Sequence, residues 1–193
     1  GWIKIHVLAR KHGNLNQFIT SAKGLMHHRV IHANHIATYI IDKLTNKGKK
    51  ISFAESCSGG LLAYFFTAHS GASSIYDGSL ITYSNILKEN WLAVDSNTLE
   101  LHGAVSQETV VEMSQGAMDV SNADYSLSIS GVAGPTGGTE YKSVGTVCIS
   151  VRSKTTAISE SFLFEGDRNY IQDQSVLMAI KMLLMIDREL FFS

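Results

Sequence analysis

The sequence predicts an α/β protein, a three-layer α/β/α sandwich around a mixed sheet of about five strands. Segments with the period-two alternation of strands are interleaved with segments whose apolar residues recur at helical spacing, so strand–helix–strand units repeat along the chain. Its 193 residues suffice for one domain with a substantial core. Both glycine-rich segments, 55–60 and 131–138, follow predicted strands, where ligands collect in such folds.

Residues 1–28 show no clear period and read as a basic appendage or linker remnant, leaving 29–193 as the domain. From Arg29, Val30, Ile36, Ala37, Ile40, Ile41 and Leu44 predict a helix over 29–46, stopped by Gly48. A short strand follows at 50–54, then a helix from Gly60 to His69. Turn chemistry in "SIYDGS" precedes a β-prone run, Leu80 to Tyr83, read as a strand ending near Tyr83. "NILKENWLAV" and 96–101 read as short helices, and Ser106 as the N-cap of a helix to Val120. Leu127 and Ile129 alternate with Ser126, Ser128 and Ser130 as in a strand. Val144–Val151 and Ala157–Phe164 supply two more strands, and a long helix, 167–189, closes the chain.

A hydrophobic fraction of 45% with 17% charged residues fits a folded chain and excludes disorder. No apolar run approaches the ~20 residues of a membrane span, so no membrane partner is expected. Two cysteines, Cys57 and Cys148, make neither a metal cluster nor a disulfide framework, and a reducing cytoplasm is the natural setting. Charge is unevenly placed: residues 1–50 sum to +8 and residues 51–193 to −9. The basic segment could contact nucleic acid or an acidic partner, or be a solvated leader. Without aromatic interleaving or a binding motif, nucleic acid is not expected.

Chemistry concentrates in "ISFAESCSGGLLAYFF", 51–66. A helix starting at Gly59 or Gly60 offers unpaired N–H groups to an anion or oxyanion, and glycine lets a ligand approach the backbone. Ser56 and Ser58 at its mouth are either N-caps or nucleophile and ligand. Cys57 could rival Ser56, although strand alternation points the two in opposite directions; burial is the simpler reading. Gly131, Gly134, Gly137 and Gly138 with Thr136 and Thr139 suit a phosphate cradle or a plain connector. Tyr83 stands at a strand end and Lys88 one turn into the next helix. Lys88 is a solvent charge or, if it lies beside Ser56 and is desolvated, a base that replaces histidine. His28, His32 and His35 have helical spacing but no accompanying acid, so no metal site is expected. His69 and His102 have no motif to place them in a Ser-His-Asp triad.

"AESCSGG" at 54–60, "GSLITYSNILKENWLAV" at 78–94, "HGAVSQETVVEMSQGA" at 102–117, "ADYSLSISGVAGPTGG" at 123–138, "VGTVCISV" at 144–151 and "GDR" at 166–168 occur in an order that resembles the CinA C-terminal domain family. The resemblance covers roughly residues 30–190. It implies a bacterial nicotinamide mononucleotide deamidase, hydrolysing the carboxamide to nicotinic acid mononucleotide and ammonia for NAD synthesis, with no metal or other cofactor. By motif it makes Ser56 the nucleophile and Lys88 its base, with Tyr83 beside them. Backbone donors near Gly59 and Gly60 would then hold the oxyanion, Ser58 would bind substrate, and Lys88 must be neutral at working pH. Gly134, Thr136, Gly137, Gly138 and Arg168 are the expected phosphate donors, with Ser130 lining the pocket. Arg168 paired with a nearby acid stays open.

Departures are few. Ser58 stands where the family commonly has threonine, and Ser143 where a proline commonly precedes "VGTV". The larger members' molybdopterin-binding-like domain has no counterpart in 1–28. A homo-oligomer is expected, as the family commonly forms one and the terminal helix carries an apolar stripe. The alternative is a nucleotide-binding regulatory module with little turnover.

Overall fold

The computed structural model describes residues 13–26 and 30–192. Among these, five strands, β1 (Ile51–Glu55), β2 (Tyr76–Ile81), β3 (Tyr125–Gly131), β4 (Thr146–Ser153) and β5 (Ala157–Leu163), form one mixed sheet in the order β2-β1-β3-β4-β5. β1 pairs in parallel with both neighbours, while β4 runs antiparallel to β3 and β5 to β4. The helices are α1 (Leu15–Met26), α2 (Ile36–Asn46), α3 (Leu61–Thr67), α4 (Asn85–Leu92), α5 (Ser96–His102), α6 (Gln107–Ser121), α7 (Arg168–Ile186) and α8 (Arg188–Phe192). The expected α/β sandwich is the observed one.

Two unequal cores explain the layering. On one face Phe53, Leu127, Ile129, Ile149 and Val151 pack against α2, α3, α7 and α8 through Ile40, Leu44, Phe66, Ile180, Leu183 and Phe191. The other face is narrow and made of small side chains, Ala54 and Cys148 meeting Leu92, Val110, Met113 and Ala117 of α4 and α6. The serines of β3 look outward by alternation alone, but α6 covers them. Each satisfies its hydroxyl on a main-chain carbonyl: Ser126 donates to Ser114 at 2.6 Å, Ser128 to Val110 at 2.5 Å and Ser130 to Ala104 at 2.7 Å. Serine at these positions lets α6 approach closely without stranding a buried polar group.

Several boundaries differ from expectation for local reasons. The first domain helix begins at Ile36, not 29. β2 starts at Tyr76 because it pairs from Ile51↔Tyr76 onward, and it ends at Ile81, leaving Tyr83 beyond it. The expected terminal helix is broken at Asp187, whose carboxylate accepts from the Tyr125 hydroxyl at 2.5 Å and the Leu190 N–H at 3.0 Å, capping α8. α1, unexpected from periodicity, buries none of its residues. Much of the basic segment 1–28, and His28 of the histidine series, lies outside the described residues. No helix among the described residues is long and apolar enough to cross a membrane.

Candidate active site

The β1–α3 turn is organised by a carboxylate. Glu55, fully buried at the end of β1, accepts N–H bonds from Gly60 at 3.0 Å, Leu62 at 3.0 Å and Ala63 at 2.9 Å. One side chain thus occupies the open end of α3, a short helix with no N-cap side chain of its own. Gly59 N–H bonds Ser56 O at 3.1 Å and Leu61 N–H bonds Ser58 O at 3.0 Å. The donors that the sequence offered to an oxyanion at Gly59 and Gly60 are therefore already engaged. Neither glycine lines the cavity beside Ser56, and neither Ser58 nor Gly138 does.

Ser56 extends β1 by one bond, its N–H donating to Ile129 O at 3.0 Å. The parallel register that pairs Glu55 with Ile81 sets it beside Thr82. Two residues later Ser84 caps α4, accepting from Leu87 N–H at 3.4 Å, and the first turn of that helix turns Lys88 inward. Lys88 is only 1% exposed. Its Nζ donates to Thr82 O at 2.7 Å and lies 3.2 Å from Ser56 Oγ. Burial lowers its pKa from 10.5 to about 8. A lysine that readily loses its proton, within hydrogen-bond reach of a serine hydroxyl, is a competent general base.

Cys57 faces the opposite core, as alternation requires, packed within the α2–α3–α7 side. Its thiol is pushed up to about 12 by burial, which leaves no thiolate for attack near neutral pH.

A cavity of about 240 Å³ opens in front of the dyad. Ser56, Lys88, Tyr83, Ser130, Gly134, Thr136, Gly137 and Arg168 line it, as expected. Arg168, the first residue of α7, donates to Gly134 O at 2.8 Å and to the Tyr83 hydroxyl at 3.1 Å, tying three segments together across the mouth. No carboxylate salt-bridges it among the described residues, so the open reading of an ion pair is replaced by two neutral acceptors. Gly134 has φ of 75°, and a Cβ there would meet Val144 Cγ1 at 2.5 Å, so the loop needs glycine at this corner. Ala104, Val105, Val132 and Ala133 also line the cavity and escaped sequence reading. The signal for the first pair was their place in "HGAVSQETVVEMSQGA", as an apolar dipeptide just before the Ser106 cap. With no carboxylate in the lining, the Arg168 guanidinium gives the cavity a positive charge that favours an anionic ligand.

Comparison with known proteins agrees with this architecture. The family model described as the CinA C-terminal domain matches residues 33–186. A CinA-like protein of Fervidobacterium nodosum is 44% identical over 144 residues, covering 75% of this chain and 35% of that protein. A CinA-like protein of Shewanella piezotolerans is 45% identical over 141 residues, covering 72% of this chain and 33% of its own length. The chain thus spans about a third of the curated relatives it matches. Among solved structures, the competence/damage inducible protein CihA from Agrobacterium tumefaciens superposes with a TM-score of 0.77 at 34% identity, covering 78% of this chain and 93% of that one. A competence or damage-inducible protein from Enterobacter asburiae gives 0.76 at 34% identity, covering 80% and 99%.

Proposed function

The chain belongs to the CinA C-terminal domain family, and on that premise we propose that it is an amidohydrolase converting nicotinamide mononucleotide to nicotinic acid mononucleotide and ammonia. The observation that carries the proposal is the buried Lys88 Nζ lying 3.2 Å from Ser56 Oγ. In the mechanism, neutral Lys88 takes the Ser56 proton as Oγ bonds to the carboxamide carbon, and the carbonyl π electrons move onto oxygen. Collapse of the tetrahedral species breaks the C–N bond, and the proton held by Lys88 leaves with the amine as ammonia. Water then attacks the acyl-enzyme, giving a proton to Lys88; the acid departs and Ser56 Oγ recovers the proton. The sum is one water consumed for one ammonia released.

Arg168, at the cavity mouth and without a carboxylate partner among the described residues, is the proposed clamp for the substrate phosphate, with the N–H groups of the 134–137 loop beside it. Exchanging its two neutral acceptors for a phosphate strengthens its bonds. Incubating the purified chain with nicotinamide mononucleotide and identifying the products tests the reading. Equimolar ammonia and nicotinic acid mononucleotide are expected; binding without either product contradicts it and leaves a nucleotide-binding module.

A further inference from the structure

With the N–H groups of Gly59 and Gly60 engaged, the proposed reaction needs another donor for its oxyanion. Six of the eight main-chain N–H groups from Ser56 to Ala63 have internal acceptors. Ser56 donates to Ile129 O, Gly59 to Ser56 O, Leu61 to Ser58 O, and Gly60, Leu62 and Ala63 to the Glu55 carboxylate. The two left are Ser58 and Cys57, the latter meeting only its own thiol sulfur, and of the two only Cys57 lines the cavity. Of the neighbouring side chains, Ser130 donates to Ala104 O, and Arg168, which donates to Gly134 O and Tyr83, is the proposed phosphate clamp. We propose that the main-chain N–H of Cys57 is the oxyanion donor of the Ser56 reaction.

Orientation supports the assignment. Ser56 C=O and Cys57 N–H belong to one planar trans peptide and point in opposite directions. The carbonyl is turned into the turn by Gly59 N–H at 3.1 Å, which fixes the N–H away from it. On the other side, Cys57 O accepts from Gln172 Nε2 at 2.6 Å, so α7 anchors the next peptide as well. A donor held from both sides needs no reorganisation as charge develops, which is the condition for strong transition-state stabilisation. It also sits next in sequence to the nucleophile, the position that supplies an oxyanion donor at the nucleophile elbow of α/β-hydrolases. The neutral thiol of the same residue is a weak acceptor for this N–H, and a developing oxyanion is a stronger one.

This inference rests on the amidase reading only for its natural substrate, so its test uses two readouts. The α-hydroxy acid analogue of cysteine placed at position 57 replaces the N–H by an ester oxygen and makes Ser56 C=O a weaker acceptor for Gly59 N–H. Relative to the unmodified chain, kcat for nicotinamide mononucleotide is expected to fall about 10²–10³-fold with KM little changed. In parallel, labelling of Ser56 by a fluorophosphonate, followed by intact mass, is expected to slow by a comparable order. Equal labelling rates in the ester and unmodified chains overturn the proposal. If the unmodified chain is labelled but does not hydrolyse the nucleotide, the amidase reading fails and the labelling ratio still decides the donor. An unmodified chain that resists labelling overturns both. Should the ester chain not fold, Gln172→Leu carries the same test through the loosened peptide: labelling several-fold slower is expected, and an unchanged rate contradicts the assignment.

Discussion

Lys88 is the residue on which most depends. Its pKa, lowered to about 8 by burial, requires kcat/KM to rise with pH through an inflection near that value, as the amine loses its proton. A pH–rate profile checks this; an activity flat from pH 6 to 9 contradicts it. The same burial has a stability consequence. Because the folded pKa lies below the ordinary 10.5, the penalty on the charged form is present in full below about pH 8 and fades as pH rises toward 10.5. Lys88→Met is therefore expected to abolish turnover while raising stability at pH 7 by roughly 2–3 kcal/mol, measured by urea unfolding, with less gain at pH 10. Cys57, by contrast, is expected to resist iodoacetamide at pH 8 in the folded chain. At this scale the sequence named Ser56 and Lys88 but left Lys88 conditional on meeting Ser56, 32 positions away, a meeting the structure makes. Nothing in local spacing conveys that meeting, since it depends on the parallel register that places Thr82 beside Ser56.

Elements hold the dyad through two contacts that sequence patterns do not announce. Glu55 looks like part of the reactive motif and is instead the cap of α3, because a strand-end carboxylate can reach three N–H groups that a short helix leaves open. Glu55→Ala is expected to lower stability by about 2–4 kcal/mol in urea unfolding, since it strands those donors in a buried turn. The second contact joins α6 to α4. A Cβ at Gly116 would lie 2.0 Å from Leu92 O, so backbone must move for any side chain to fit. Gly116→Ala is expected to shift α4, which carries Lys88, costing about 1–3 kcal/mol in thermal unfolding together with a fall in kcat/KM. A stable, fully active Gly116→Ala chain contradicts this coupling. The break at Asp187 was equally hidden, because the tyrosine that holds it lies 62 residues away in β3.

For the whole molecule, the layered sandwich was legible because interleaved strand and helix periods leave few alternatives. What covers the serine face of β3 is not written in that strand: α6, in the third layer, lies over it. α1 lies apart from this scheme, since none of its residues is buried. A chain beginning at Arg29 is therefore expected to keep the urea midpoint and the turnover of the full chain; a lowered midpoint would give α1 a packing role.

The most direct test of the central claim is ammonia release from nicotinamide mononucleotide by the unmodified chain, Ser56→Ala and Lys88→Ala, each shown to be folded by circular dichroism. Turnover by the unmodified chain that is lost in both variants is the expected result. Turnover that survives in Ser56→Ala, or that is absent from the unmodified chain, contradicts a serine–lysine amidase.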